Sequence, residues 1–288
     1  MLNLQKSRFI SEGEEESFKT IRTKAVARSL ISKLTLHAMN NNQNRFYTSI
    51  SIYYSEIFPY NPMQLQYVKS RTGDLRAKRL LDIGCATGEL AFQLATEGAN
   101  VTGIDLNEDL LDQAIRKRGG ASNPEFQSGD MLELENDFKA EQFDAILCFG
   151  NTLVHLETKE MVAQMLNGVS QVLKPGGNFL LQILNYDYIL DEQVSELPLI
   201  ETGNIRFLRQ YLFDKNSPKI RFYTELYLKK ENQTVVNETT LLALKSNELL
   251  DLLRNAGFQD IELFSNFKQD AFGGKHVPLV VSAVTAPD

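Results

Sequence analysis

Apolar and polar positions alternate along this chain in two distinct rhythms. From residue 79 onward, short continuous apolar runs are followed by stretches with helical spacing. "RLLDIG" reads as a buried strand and "ELAFQLATEG" as a helix closed by Gly98. "ANVTGIDL" reads as a second strand, and "NEDLLDQAIRKRG" as a helix capped by Asn107 and stopped by Gly119. After "PEFQSGD" come the strand "FDAILCFG", the helix "KEMVAQMLNGVSQVL", the turn "KPGG" and the strand "NFLLQIL". Such alternation predicts an α/β fold, a doubly wound Rossmann-like sheet with helices on both faces.

Two regions depart from that rhythm. "NIRFLRQYLFD", "KIRFYTELYLKK" and "TVVNETTLLAL" are rich in β-branched and aromatic residues and are separated by turn-forming "KNSP" and "KENQ", which predicts antiparallel strands inserted over residues 190–245. Upstream, the aromatic spacing of residues 43–78 is helical and is broken at Pro59 and Pro62, which suggests short helices forming a cap or lid. Residues 1–42 form a polar arm with one stretch of amphipathic spacing. "SNELLDLLRNAGF" returns to a helix, with Ser246 as its expected N-cap, and "DIELFS" and "VPLVVSAVT" supply a closing antiparallel pair. The core is thus expected to comprise residues 79–189 and 246–288, and these runs mark six of its expected seven strands.

Composition narrows the function. The 288 residues and 43% hydrophobic content suit a packed globular core. The 30 Lys and Arg against 37 Asp and Glu give a net charge of −7, which argues against nucleic acid as a partner and offers no general attraction to an anionic membrane. No apolar run has the length of a membrane span and no secretion signal is evident, so a soluble cytoplasmic protein is expected. Cys85 and Cys148 are the only cysteines, and neither has metal-ligand spacing, so the expectation is no disulfide and no metal.

The chemistry concentrates in "RLLDIGCATGEL", residues 79–90. In a doubly wound sheet, ligands bind beyond the carboxyl ends of the strands, where a glycine-rich turn meets a helix N-terminus. Gly84 and Gly88 permit a sharp turn and close backbone approach, although a tight turn can need glycine for structure alone. Asp105 ends the next strand, 17 residues after Gly88, where a carboxylate can accept both hydroxyls of a ribose. The spacing G-C-A-T-G is too short for the G-x-G-x-x-G of dinucleotide folds, so a pyrophosphate fits poorly.

With these motifs the sequence resembles the class I S-adenosylmethionine-dependent methyltransferases, whose first motif, acid-x-G-x-G/A-x-G, is matched by Asp82, Gly84, Ala86 and Gly88. "GDM", "FDAILCFGNTLVHL" and "VLKPGGNFLLQI" follow in the family's order. "GNTLVHL", "NYDYIL" and "YYSEIFP" are further similar to the branch containing glycine and sarcosine N-methyltransferases, while the arginine that glycine enzymes place before the first motif is absent from "NPMQLQ". The resemblance implies S-adenosylmethionine as cofactor and methyl transfer to a small-molecule acceptor, an amine nitrogen being one candidate. It implies that Gly84, Cys85 and Ala86 line the methionine part, Asp105 and Leu106 the ribose and adenine, and Asp130 and Met131 the adenine edge. Cys148, Phe149, Gly150 and Asn151 would close the methionine and acceptor side.

Each residue also has a plainer role. Asp82 can pin the loop through backbone N–H groups instead of meeting the cofactor's amino group. The two cysteines suit small packing positions, and Met131 suits ordinary core. His155 can serve as a base, cap a helix or pack on the cofactor. Methyl transfer needs mainly alignment and water exclusion, so Tyr54, Tyr186 and Asn151 are the candidates for lining the reacting centre, with packed aromatics as the alternative. Arg206 and Tyr223 on the inserted strands are the candidate acceptor contacts, Arg206 as a carboxylate anchor. The same strands can instead form a homodimer surface. Two other classes share the fold: a cofactor-binding partner protein without catalysis, and an NAD-type oxidoreductase, which the short loop disfavours.

Overall fold

A computed structural model of the chain describes residues 43–214 and 217–287. The polar arm of residues 1–42 lies outside the described residues. The chain enters through helix α1 (residues 43–50), a 3-10 turn at Ser51–Tyr53 and helix α2 (Tyr54–Ile57). Helix α3 (Pro62–Thr72) follows; Asn61 caps it by accepting from the Met63 N–H, and Pro62 occupies the first turn, where a missing N–H costs nothing. The expected break at the prolines is therefore a boundary between two helices.

The alternating segment then delivers β1 (Arg79–Ile83), α4 (Glu89–Thr96), β2 (Asn100–Asp105), α5 (Glu108–Arg118), β3 (Glu125–Ser128), a single turn α6 (Leu134–Asp137), β4 (Phe143–Cys148), α7 (Lys159–Val172) and β5 (Leu173–Leu184). Asn107 caps α5 as expected, accepting the Leu110 N–H at 3.0 Å. Helix α8 (Tyr186–Asp191) leads into β6 (Ile200–Glu201), β7 (Ile205–Phe213), β8 (Lys219–Leu228) and β9 (Gln233–Leu242). Helix α9 (Ser246–Asn255), β10 (Phe258–Phe264) and β11 (Pro278–Thr285) complete the described chain. At α9 the N-cap is Lys245, one residue earlier than expected; the Ser246 N–H donates to the Asp187 carboxylate instead.

The strands form two sheets. The first has seven strands in the order β10-β11-β5-β4-β1-β2-β3, parallel except that β11 runs antiparallel to β5 and to β10. Strand β1 lies between β4, the central strand, and β2, and the order reverses there, which sets the switch-point crevice beyond the ends of β1 and β4. The second sheet is the antiparallel ladder β6-β7-β8-β9: β7, β8 and β9 are the three inserted strands expected, and the two-residue β6 adds a short edge that was not. Among the described residues no helix is long and apolar enough to cross a membrane.

The cap and the inserted sheet share a separate apolar core. Phe46, Ile50 and Ile57 of the cap are buried with Ile205, Phe207 and Leu226 of β7 and β8. Polar contacts fix the same interface: Asn237 on β9 donates to the Ser49 hydroxyl at 2.9 Å, and Glu56 holds the Thr202 hydroxyl and the Asn204 amide.

Candidate active site

The glycine loop is held from below by β2. The N–H groups of Gly84 and Cys85 both donate to the Ile104 carbonyl, at 2.8 and 3.0 Å, so the chain leaves β1 by folding over its neighbour. The Asp105 carboxylate stitches the turn: Oδ2 accepts the Ala86 N–H at 2.9 Å and Oδ1 accepts the Asn107 N–H at 2.8 Å. These bonds give Asp105 a loop-holding role beyond the one expected of it. Each oxygen keeps one further lone-pair direction, so the side chain can still accept a pair of hydroxyls.

Gly84 and Gly88 both lie in the left-handed region, with φ of +73° and +78°. A Cβ on Gly84 would stand 2.6 Å from Thr152 Cγ2, and one on Gly88 would stand 2.5 Å from the Phe126 ring. The space above Gly84, expected to take the ligand's methionine part, is met at the Cβ position by Thr152. Gly88 is required by packing under the loop.

Asp82, the last acid of β1 and only 5% exposed, accepts no side-chain hydrogen bond from the described residues, so the loop-pinning role is not the one it plays. Burial, reinforced by the nearby Asp105 charge, pushes its carboxyl up to about 7. Burial also raises Asp105, against the backbone donors that pull it down. Two carboxylates at adjacent strand ends, one of them without a donor, form a site that stabilises a cation. At the end of β3, Asp130 accepts the Leu132 N–H at 2.9 Å and is raised by burial, while Met131 beside it is buried. Leu106 is partly exposed at the end of β2.

The opposite wall is the turn after β4. Cys148 and Phe149 are buried, Gly150 is exposed, and Asn151 adopts a left-handed φ of +70°. Gln182 on β5 fixes this turn: its Oε1 accepts the Gly150 N–H at 2.8 Å, and its carbonyl accepts the Asn151 N–H at 3.1 Å. The Asn151 side chain accepts the Leu184 N–H at 2.9 Å and donates to the Tyr186 hydroxyl at 3.2 Å. Tyr186 is therefore a fully buried brace for Asn151. Burial pushes both cysteine thiols up, consistent with packing positions.

The cap closes over the loop. Asn107 donates to Asn44 and to the Thr48 hydroxyl on α1, and Ser55 meets the Thr87 hydroxyl at 3.2 Å. This puts Tyr47 and Tyr54 above the acids; their rings lie 6.2 Å apart, and burial followed by nearby charges, Asp105 included, raises both hydroxyls. Tyr47 bonds His155 Nε2 at 2.9 Å, and His155 Nδ1 is buried with no partner. Burial lowers His155 to about 4, so its imidazole is neutral at pH 7. Tyr47, Thr152 and Gln182 escaped the sequence reading. Tyr47 had a readable signal, since it lies seven residues before Tyr54 at helical spacing; Gln182 interrupts an otherwise apolar strand.

The two candidate acceptor contacts are elsewhere. On β7 the buried positions are Ile205, Phe207 and Tyr211, so Arg206 projects to the outer face, where it meets Glu201 at 3.3 Å. Tyr223 lies on the corresponding outer face of β8 and donates to Glu225 at 2.6 Å. Strand alternation separates both from the cap-facing side. Among the described residues no cluster of His, Cys, Asp and Glu could hold a metal ion.

Comparison with known proteins agrees with this geometry. Residues 80–177 match the family described as "Methyltransferase domain". The putative methyltransferase YqeM of Bacillus subtilis (strain 168) is 36% identical over 138 residues, covering 48% of this chain and 55% of that protein. Glycine N-methyltransferase of Rattus norvegicus is 32% identical over 125 residues, 39% of this chain and 42% of its own. The chain thus spans about half the length of the curated relatives it matches. An S-adenosylmethionine-dependent methyltransferase from Clostridium acetobutylicum ATCC 824 superposes with a TM-score of 0.70 at 17% identity, over 83% of this chain and 99% of its own. The chain carries a methyltransferase domain, and its fold is that of the class I S-adenosylmethionine-dependent methyltransferases.

Proposed function

We propose that the chain binds S-adenosylmethionine across the ends of β1 and β2 and transfers its methyl group to an amine nitrogen of a small-molecule acceptor. The observation that carries this reading is Asp82, a buried carboxylate without a donor beside Asp105, under a lid of tyrosines. That arrangement suits a ligand with an ammonium group and a ribose. The bound cofactor supplies an electrophilic methyl group on a sulfonium.

The remaining work falls to the chain itself. Asp82 would hold the ammonium, and Asp105 and Leu106 the ribose and adenine, while Asp130 and Met131 would bound the adenine edge. Asn151, braced by Tyr186, would orient the acceptor, and Tyr47 and Tyr54 would exclude water. The amine reading draws support from the proton chemistry. A hydroxyl acceptor needs a base at the reacting atom, yet His155 is a weak base at about 4, the nearby thiols are raised, and Asp82, pushed up to about 7, is engaged by the ammonium in this reading. A neutral amine brings its own lone pair. The similarity to a glycine N-methyltransferase points the same way.

The test is a mass-spectrometric screen with S-adenosylmethionine against amines, alcohols and carboxylates of small size. Methylated amines are expected. Transfer confined to oxygen would overturn the amine assignment, and cofactor binding without turnover on any class would make the chain a non-catalytic partner protein.

A further inference from the structure

The basic side chains of the inserted sheet are almost all answered by acids. Arg206 meets Glu201, Arg221 meets Glu238 at 3.4 Å, Lys229 meets Glu201 at 3.0 Å, and Lys219 meets Glu157. Arg209 differs. Among the described residues its one hydrogen bond runs from Nη2 to the Pro198 carbonyl at 2.7 Å, its Nε is buried without a partner, and no carboxylate pairs with it. An unanswered guanidinium that has lost part of its hydration is costly to keep unless a ligand completes it.

Its position points to the acceptor. Arg209 shares strand parity with Ile205, Phe207 and Tyr211, the face of β7 that packs on the cap. The guanidinium lies 6.0 Å from the Phe207 ring centre; Phe207 meets Phe58 at 6.3 Å, and Phe58 meets Tyr54 at 5.2 Å. On the other side, Tyr211 is buried and lies within electrostatic reach of both Arg209 and Tyr186, the brace of Asn151. Arg209 therefore stands at the far edge of the aromatic enclosure whose other end is the candidate reacting centre.

We infer that Arg209 is the anion-binding end of the acceptor site, and that the methyl acceptor carries a carboxylate or phosphate remote from its methylated nitrogen. This rests on the methyltransferase reading. The guanidinium fork supplies two parallel donors to either anion, which a lysine at the same place cannot do.

Calorimetric titration of the full chain with inorganic phosphate and with succinate, each with and without saturating S-adenosylhomocysteine, tests the inference. Saturable binding of at least one probe is expected, weakened tenfold or more in Arg209→Gln, partly retained in Arg209→Lys, and unchanged in Arg206→Gln. The lysine variant decides the matter if the glutamine variant does not fold. No saturable binding of either probe to the unaltered chain, or equal binding in the Arg209 variants, overturns it. Failure of S-adenosylhomocysteine itself to bind would count against the methyltransferase reading, while the anion titration still decides the role of Arg209.

Discussion

In the seven-stranded sheet the polar chemistry sits at strand ends, whereas in the four-stranded sheet it is sorted by face. Asp82 lies one residue before the end of β1 and is buried, Asp105 ends β2 and is partly buried, and among the described residues neither has a charged partner. Arg206, Arg221 and Tyr223 line the solvent side of β7 and β8 and each meets a carboxylate there, Glu201, Glu238 and Glu225 in turn, leaving aromatics and Arg209 toward the cap. A parallel sheet covered on both faces has only its ends free for ligands, while an antiparallel sheet with one wet face can choose side by side-chain parity. On the proposed reading, the cofactor half of the site is built from backbone turns and buried acids, and the acceptor half from an aromatic lid edged by Arg209.

The sharpest break in that comparison comes from the loop. Gly88→Val places a Cβ into the Phe126 ring at a left-handed φ and should cost about 3 kcal/mol or more of stability, read by denaturant unfolding. The same midpoint as the unaltered chain would show that the loop relaxes freely. Next in size, Asp105→Ala removes the acceptor of the Ala86 N–H and of the expected ribose hydroxyls, and should lower S-adenosylmethionine affinity by roughly 2–4 kcal/mol in calorimetry. Unchanged affinity would remove Asp105 from the site. The smallest effect belongs to the outer face: Arg206→Ala should move neither the unfolding midpoint nor the cofactor affinity beyond what those measurements resolve, because its ion pair with Glu201 is exposed. A clear loss of acceptor turnover in this variant would return acceptor choice to the outer face.

The same contrast explains what was legible from sequence. The core strands and helices, the cap of Asn107 and the three inserted strands follow from apolar spacing and turn residues, because local pattern and tertiary burial agree there. "PEFQSGD" hid β3, whose four residues alternate too briefly to signal a strand, and α6 is a single turn. At the site, Asp82 and Asp105 were readable because strand ends next to a glycine turn are fixed by topology. Arg206 stood out as a cation on a strand, but parity decides its face and only the buried neighbours Ile205 and Phe207 fix parity. Tyr47 joins the candidate site through its hydrogen bond with His155, 108 residues away, and through the Asn107 bond that holds α1 over the loop, neither of which a local window reveals.

The central claim is that an enclosed, unanswered Asp82 carboxylate receives the cationic cofactor, and the pH dependence of S-adenosylmethionine binding tests it most directly. Asp82 ionises near 7, so it binds a cation when deprotonated and loses that capacity as the pH falls through 7; His155, near 4, stays neutral across the same window. Calorimetry from pH 8 to 5.5 should show affinity nearly constant above 7.5 and falling by up to about tenfold per pH unit below 7, one proton being taken up by the site. In Asp82→Asn the affinity should be weak throughout and flat over that range. An affinity for S-adenosylmethionine that is unchanged from pH 8 to 5.5 in the unaltered chain, and equal in Asp82→Asn, would contradict the account.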